Sequence, residues 1–133
     1  MERLRQRLET AQQALRTLSE ILSGQAASDV VRDAAIQRFE YTFEAMWKAA
    51  QLFLRVVEGF EVGSPKAVIR TSLQVGLLDA DQTRLALQMA DDRNLTIHTY
   101  NETVAEEIFA HIPAYSQLIA DWLQSMRDRI NLI

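Results

Sequence analysis

Cysteine is absent from the 133-residue chain, which removes disulfides, thiol nucleophiles and thiolate metal sites together. Proline and glycine are scarce, at two and four copies, so little interrupts a chain rich in Ala, Leu, Gln, Glu and Arg. That balance favours helix over sheet. No apolar run approaches the roughly 20 residues that a membrane span needs. Met1-Glu2-Arg3-Leu4-Arg5 leads into charged, heptad-like sequence rather than an apolar signal core. The expectation is a cytoplasmic protein with no membrane contact. Histidine occurs twice, and no His or carboxylate cluster has metal-ligand spacing, so neither a metal nor a cofactor is expected. There is no Gly-rich phosphate loop, and the serines lack a nucleophile-elbow context.

What is present is enough for one core. The hydrophobic fraction is 48%, and the length suits a single domain over residues 1–133. The net charge of −4 and pI of about 5.2 count against broad coating of nucleic acid. They leave room for a localised basic cleft, although no basic strip is evident in the sequence.

Leu4, Leu8, Ala11, Leu15, Leu18 and Leu22 alternate at spacings of four and three, one apolar stripe on a helix from about Glu2 to Leu22. Ser23-Gly24-Gln25 should end it, with Gly24 suited to a left-handed cap. Ser28 or Asp29 can cap a second helix running to about Glu58, with Gly59 as its stop and a length of roughly 45 Å. Its apolar face, from Val31 through Phe39, Phe43, Met46, Trp47 and Phe53 to Val57, is wide enough for a central helix. Aromatics at this spacing are assigned to core, and some to a subunit interface. Ser64-Pro65 opens a short third helix that stops at Gly76. Asp79 or Asp81 caps a fourth, and Asn101 a fifth that carries Pro113, where a kink near Ala110 is expected rather than a break. The fold class is all-α, an antiparallel four- to five-helix bundle.

The polar run at the junction of the last two helices is the one chemically informative stretch. On an ideal helix Asp91, Asn94 and His98 lie along one face, with Arg93 and Tyr100 on a neighbouring one. Arg93 and His98 are about 140° apart, so they meet through arginine's reach, through a distorted turn, or across a two-fold axis between two copies. Arginine offers a planar fork of donors for a phosphodiester, and histidine titrates near neutrality. An Arg-His pair without metal suits RNA cleavage, in which the 2′-hydroxyl attacks, His98 moves the proton and Arg93 stabilises charge developing on phosphate. A bland account also fits: Arg93 as a surface ion pair with Asp91 or Asp92, His98 as a favourable helix end, Asn101 as a cap. Judged by physics alone, that account stands ahead. His111 has no polar constellation around it in the sequence and reads as structural or surface.

The segment Asp92-Arg93-Asn94-Leu95-Thr96-Ile97-His98-Thr99-Tyr100 resembles the HEPN superfamily signature, Arg-x4-His-x-Tyr, with a polar residue after the arginine. Further blocks resemble one branch, the nucleotidyltransferase substrate-binding protein family. They are Arg38 to Glu44 with Trp47-Lys48, Ser64-Pro65-Lys66 with Ile69-Arg70, Gly76-Leu77, and Thr103 to Ile108. The resemblance implies a bundle that forms a homodimer and pairs with a minimal nucleotidyltransferase. In toxin–antitoxin members the HEPN subunit is a metal-independent ribonuclease, silenced when its partner transfers AMP to the motif tyrosine. Carried over by position, Arg93 and His98 would be catalytic and Asn94 supporting. Tyr100 would be the modified residue, and Arg93, Asp91 and Thr96 would contact the substrate, RNA or a nucleotide. The branch name implies an alternative: a non-catalytic nucleotide- or substrate-binding subunit of a two-component nucleotidyltransferase.

Overall fold

The computed structural model describes residues 1–24 and 26–133. It has five helices: α1 (Glu2–Gly24), α2 (Asp29–Val56), α3 (Pro65–Gln74), α4 (Ala80–His98) and α5 (Glu102–Asn131). Among the described residues there is no strand, as the composition requires. The caps fall where short polar residues can accept orphan amide hydrogens. Ser28 accepts from Val31, Ser64 from Ala67 with Pro65 in the first turn, and Asn101 from Val104. At α4 the cap is Asp79 rather than Asp81, and Gln82 reaches back to complete a capping box.

Two sequence expectations shift. Gly24 is the last residue of α1 and not a left-handed cap; the left-handed glycines are Gly59 and Gly76. Gln25, read as part of the same stop, lies outside the described residues. The second helix ends at Val56, short of Glu58, while Gly59 turns the chain as expected. Helix α5 runs through Ala110 and Pro113 without the break that the sequence reading also ruled out.

Helix α2 is the central element and touches each of the other four. It is antiparallel to α1: Arg38 Nη1 donates to the Thr17 carbonyl at 2.8 Å near one end, and Arg7 faces Arg55 near the other. Its width of apolar face has the expected cause, since Phe39, Phe43, Met46, Phe53 and Leu54 are all buried. They meet the Leu4–Leu18 stripe of α1 and the Tyr115, Ile119, Trp122 and Met126 face of α5. Each such side chain contributes about 1.5–3 kcal/mol of transfer free energy. Arg129 ties the far end of α5 to Glu58 at 2.7 Å and to the Val75 carbonyl at 3.0 Å. The bundle therefore presents the last turn of α4 and the Thr99–Asn101 connection as one surface feature beside α2.

Candidate functional site

Helix α4 is anchored from within by a residue of the polar run itself. Asp92 is buried, and its Oδ2 accepts from the Tyr115 hydroxyl and pairs with His111 Nδ1 at 2.8 Å. Gln88 Nε2 donates to the same tyrosine oxygen at 3.0 Å. Burial first, then the hydrogen bond to Asp92, pushes the Tyr115 phenol well above its ordinary value, with Gln88 acting the other way. His111 therefore does have a polar constellation, contrary to the sequence reading. It comes from α4, 19 residues away, and local spacing cannot display it.

The neighbouring residue points the other way. Arg93 Nη2 donates to Glu44 Oε2 of α2 at 2.6 Å, and its guanidinium lies 5.5 Å from the centre of the Phe43 ring. Asp91 and Asp92, the expected ion-pair partners, are occupied elsewhere: Asp91 with Lys66 Nζ at 2.5 Å, Asp92 in the buried network. Glu44 also takes Lys48 Nζ at 3.2 Å and the Trp47 indole N–H at 3.2 Å. Burial works to raise its carboxyl. Hydrogen bonds from Trp47 and Lys48 and the charge of Arg93 outweigh this and hold it below the ordinary glutamate value.

Arg93 and Asn94 line a shallow pocket of about 260 Å³ with Phe43, Ala90 and the start of α3, Ser64-Pro65-Lys66. The Thr96 hydroxyl turns back to the Arg93 carbonyl at 2.7 Å, so it braces its own helix. His98 closes α4 and is exposed; among the described residues nothing bonds its ring. The helix stays regular to His98, so no distorted turn carries the imidazole toward Arg93. Tyr100 lies in the connection, about half exposed, and its hydroxyl donates to Asp33 Oδ1 of α2 at 3.1 Å. Partial burial, then Asp33, raises its phenol above the ordinary value. Leu95 and Ile97, between the polar residues, are exposed to 38% and 53%.

The structure thus gathers Arg93, Asn94 and Lys66 around one pocket, sets Tyr100 against α2, and leaves His98 facing solvent. Sequence reasoning missed Glu44, Phe43 and Asp33 as partners of the motif. The available signal was Glu44 with Lys48, a carboxylate and a cation four apart beside Trp47. Among the described residues no three His, Cys, Asp or Glu side chains converge as a metal site. Among the described residues no helix is long and apolar enough to cross a membrane.

Residues 6–128 match the family described as nucleotidyltransferase substrate binding protein like. A crystal structure of a Thermus thermophilus protein is 55% identical, with a TM-score of 0.84, covering 88% of this chain and 98% of that one. The tri-AMPylated Shewanella oneidensis HEPN toxin, solved in complex with an MNT antitoxin, is 17% identical at a TM-score of 0.72, covering 98% and 97%. A mutant of the toxin–antitoxin pair MntA–HpeT gives 16% and 0.72 over the full length of both chains. Part of the bifunctional purine biosynthesis protein PurH of Rhizobium rhizogenes is 32% identical over 94 residues, 66% of this chain; the chain spans only 17% of that protein's length. With the match running almost end to end, and the fold shared with HEPN bundles, the chain belongs to the nucleotidyltransferase substrate binding protein like family.

Proposed function

We propose that this chain is the HEPN-type partner of a minimal nucleotidyltransferase, and that it is a metal-independent ribonuclease silenced by AMP transfer to Tyr100. One observation carries the reading. Arg93, Asn94 and His98 at the end of α4, and Tyr100 in the connection after it, stand at the signature spacing, and Arg93 lines a pocket while Phe43 and Glu44 of another helix hold its guanidinium.

In the proposed reaction the 2′-hydroxyl attacks the adjacent phosphorus and the 5′-oxygen leaves. His98 moves the proton, and Arg93 holds the phosphoryl oxygens. Because Arg93 and His98 point apart within one chain, two copies facing each other across the exposed Leu95–Ile97 surface would complete the site as a homodimer. For silencing, the Tyr100 oxygen attacks the α-phosphorus of ATP on the partner and pyrophosphate leaves. Asp33, which already accepts the phenol's hydrogen bond, is in position to take the proton.

The test is cleavage of varied RNAs by the purified protein, with and without chelator, beside His98→Ala. Cleavage that survives chelator and falls roughly 10²–10⁴-fold in the variant is expected, the worth of a general acid or base. Equal cleavage by both proteins, or none by either, sinks the catalytic reading. A second reading rests on the pocket of Arg93, Asn94 and Lys66. It would hold a phosphate-bearing ligand for the partner enzyme without chemistry of its own. Nucleotide titration of the protein with and without its partner decides it; no binding in either case removes it.

A further inference from the structure

Outside the motif, the strongest concentration of unspent charge is a cleft of about 280 Å³ between the start of α1 and the second half of α2. Arg3 and Arg7, one turn apart on α1, face Lys48 and Arg55, two turns apart on α2; Phe60 and Glu61 close the cleft from the α2–α3 loop. Among the described residues Arg3, Arg7 and Arg55 form no ion pair, and all three are exposed. Lys48 shares Glu44. Four cations therefore meet one lining carboxylate, in a protein whose net charge is −4.

Helix stability accounts for only part of this. Arg55 lies in the last turn of α2, where a cation suits the dipole. Arg3 sits in the first turn of α1, where the dipole disfavours one. Successive parts of one chain segment line the cleft and the motif pocket. Phe60, Glu61 and Val62 line one, and Ser64, Pro65 and Lys66, next along the same segment, line the other. On α2, Lys48 bridges the two through Glu44, the residue that grips Arg93. From Glu44 to Arg55 is eleven residues, about 16 Å of helix, a span that a few nucleotides of extended strand would cover.

We propose that this cleft is a second phosphate-backbone site, which holds single-stranded RNA and leads it toward Arg93. It rests on the ribonuclease reading for its direction, but the binding it describes does not depend on His98. The two basic helix faces follow the backbone without reading sequence, and the partly buried Phe60 lines the cleft between them.

The probe is a labelled 2′-O-methyl single-stranded RNA of about ten nucleotides, a length typical of such grooves, which lacks the attacking hydroxyl. Anisotropy is followed across a salt series for the full chain and for the double variant Arg7→Gln/Arg55→Gln. The double variant should bind roughly tenfold more weakly, and its salt slope should fall by about 1.4, or about 0.7 for each lost contact on a single strand. Arg7→Lys/Arg55→Lys, which keeps the charge, should retain most of the binding and shows that folding is not the cause. Unchanged affinity and slope in the Gln variant overturn the proposal. So does a wild-type protein that binds no RNA at low salt, or one whose cleft binds ATP while RNA fails to compete. If cleavage proves independent of His98 but the Gln variant still loses binding, the ribonuclease reading falls and the cleft stands.

Discussion

Replacing Tyr115 by Phe removes one oxygen and tests whether the buried network holds α4 in place. The ring stays stacked on Phe39, at 5.5 Å between centroids, so packing changes by little more than the hydroxyl. What is lost is the donor to Asp92, a carboxylate that is 8% exposed, together with the acceptor for Gln88 Nε2. A hydrogen bond to a charged acceptor contributes about 1.5–3 kcal/mol, and Asp92 would be left with His111 alone. We expect a loss of about 2 kcal/mol in urea unfolding, and a fall in Tm of roughly 6–10 °C for a domain of this size. In an Asp92→Asn background the same substitution should cost less, with a coupling of at least about 0.5 kcal/mol. A loss in wild type below about 0.5 kcal/mol, or an equal loss in both backgrounds, would show that the network contributes no such anchoring.

The same tyrosine gives a pH dependence. Its folded value lies above the ordinary one near 10, so above about pH 10 the unfolded chain has lost a proton that the folded chain keeps. The stabilisation is complete below that pH and declines above it, and Tyr115→Phe should flatten the decline in alkaline urea titrations. Glu44→Gln should weaken stability by less than about 1 kcal/mol, since the pair with Arg93 is partly exposed. It should also raise RNA affinity a few-fold by removing a carboxylate from Arg93 and Lys48, and an unchanged or lower affinity in the anisotropy assay would refute this. The Glu44 carboxyl is held below its ordinary value, so its grip on Arg93 is present above about pH 4.3 and fades as the pH falls further. If two copies meet across Leu95 and Ile97 as proposed, Ile97→Asp, on a half-exposed apolar position, should shift the dimer toward monomer in sedimentation; an unaltered dimer would place the contact elsewhere.

The helices were legible because their causes are local. Ser28, Ser64-Pro65, Asp79 and Asn101 each satisfy amides within three residues, and the Leu4–Leu18 stripe repeats at the helical period. The motif was legible as residue types at a spacing. Its setting was not, because Arg93 finds Glu44 across 49 residues and Tyr100 finds Asp33 across 67. His111 and Tyr115, four apart on α5, could have been seen to share a face, but only the packing of α4 supplies the carboxylate between them. The basic cleft was hidden for a related reason. Whole-chain charge averages over surfaces, while Arg3, Arg7, Lys48 and Arg55 converge only once α1 lies antiparallel to α2.

Arg93 and His98 sit five residues apart but under unlike constraints. The arginine is clamped to the central helix by a ring and a carboxylate, while the imidazole ends its helix in solvent, where a final turn readily frays. On the proposed reading, the phosphate grip of Arg93 and the proton transfer of His98 are thus mechanically separate. An adduct on Tyr100, or a neighbour laid over Leu95 and Ile97, could re-aim the imidazole while leaving the phosphate grip unaltered. A chain silenced in that way would still hold its RNA and be unable to cut it.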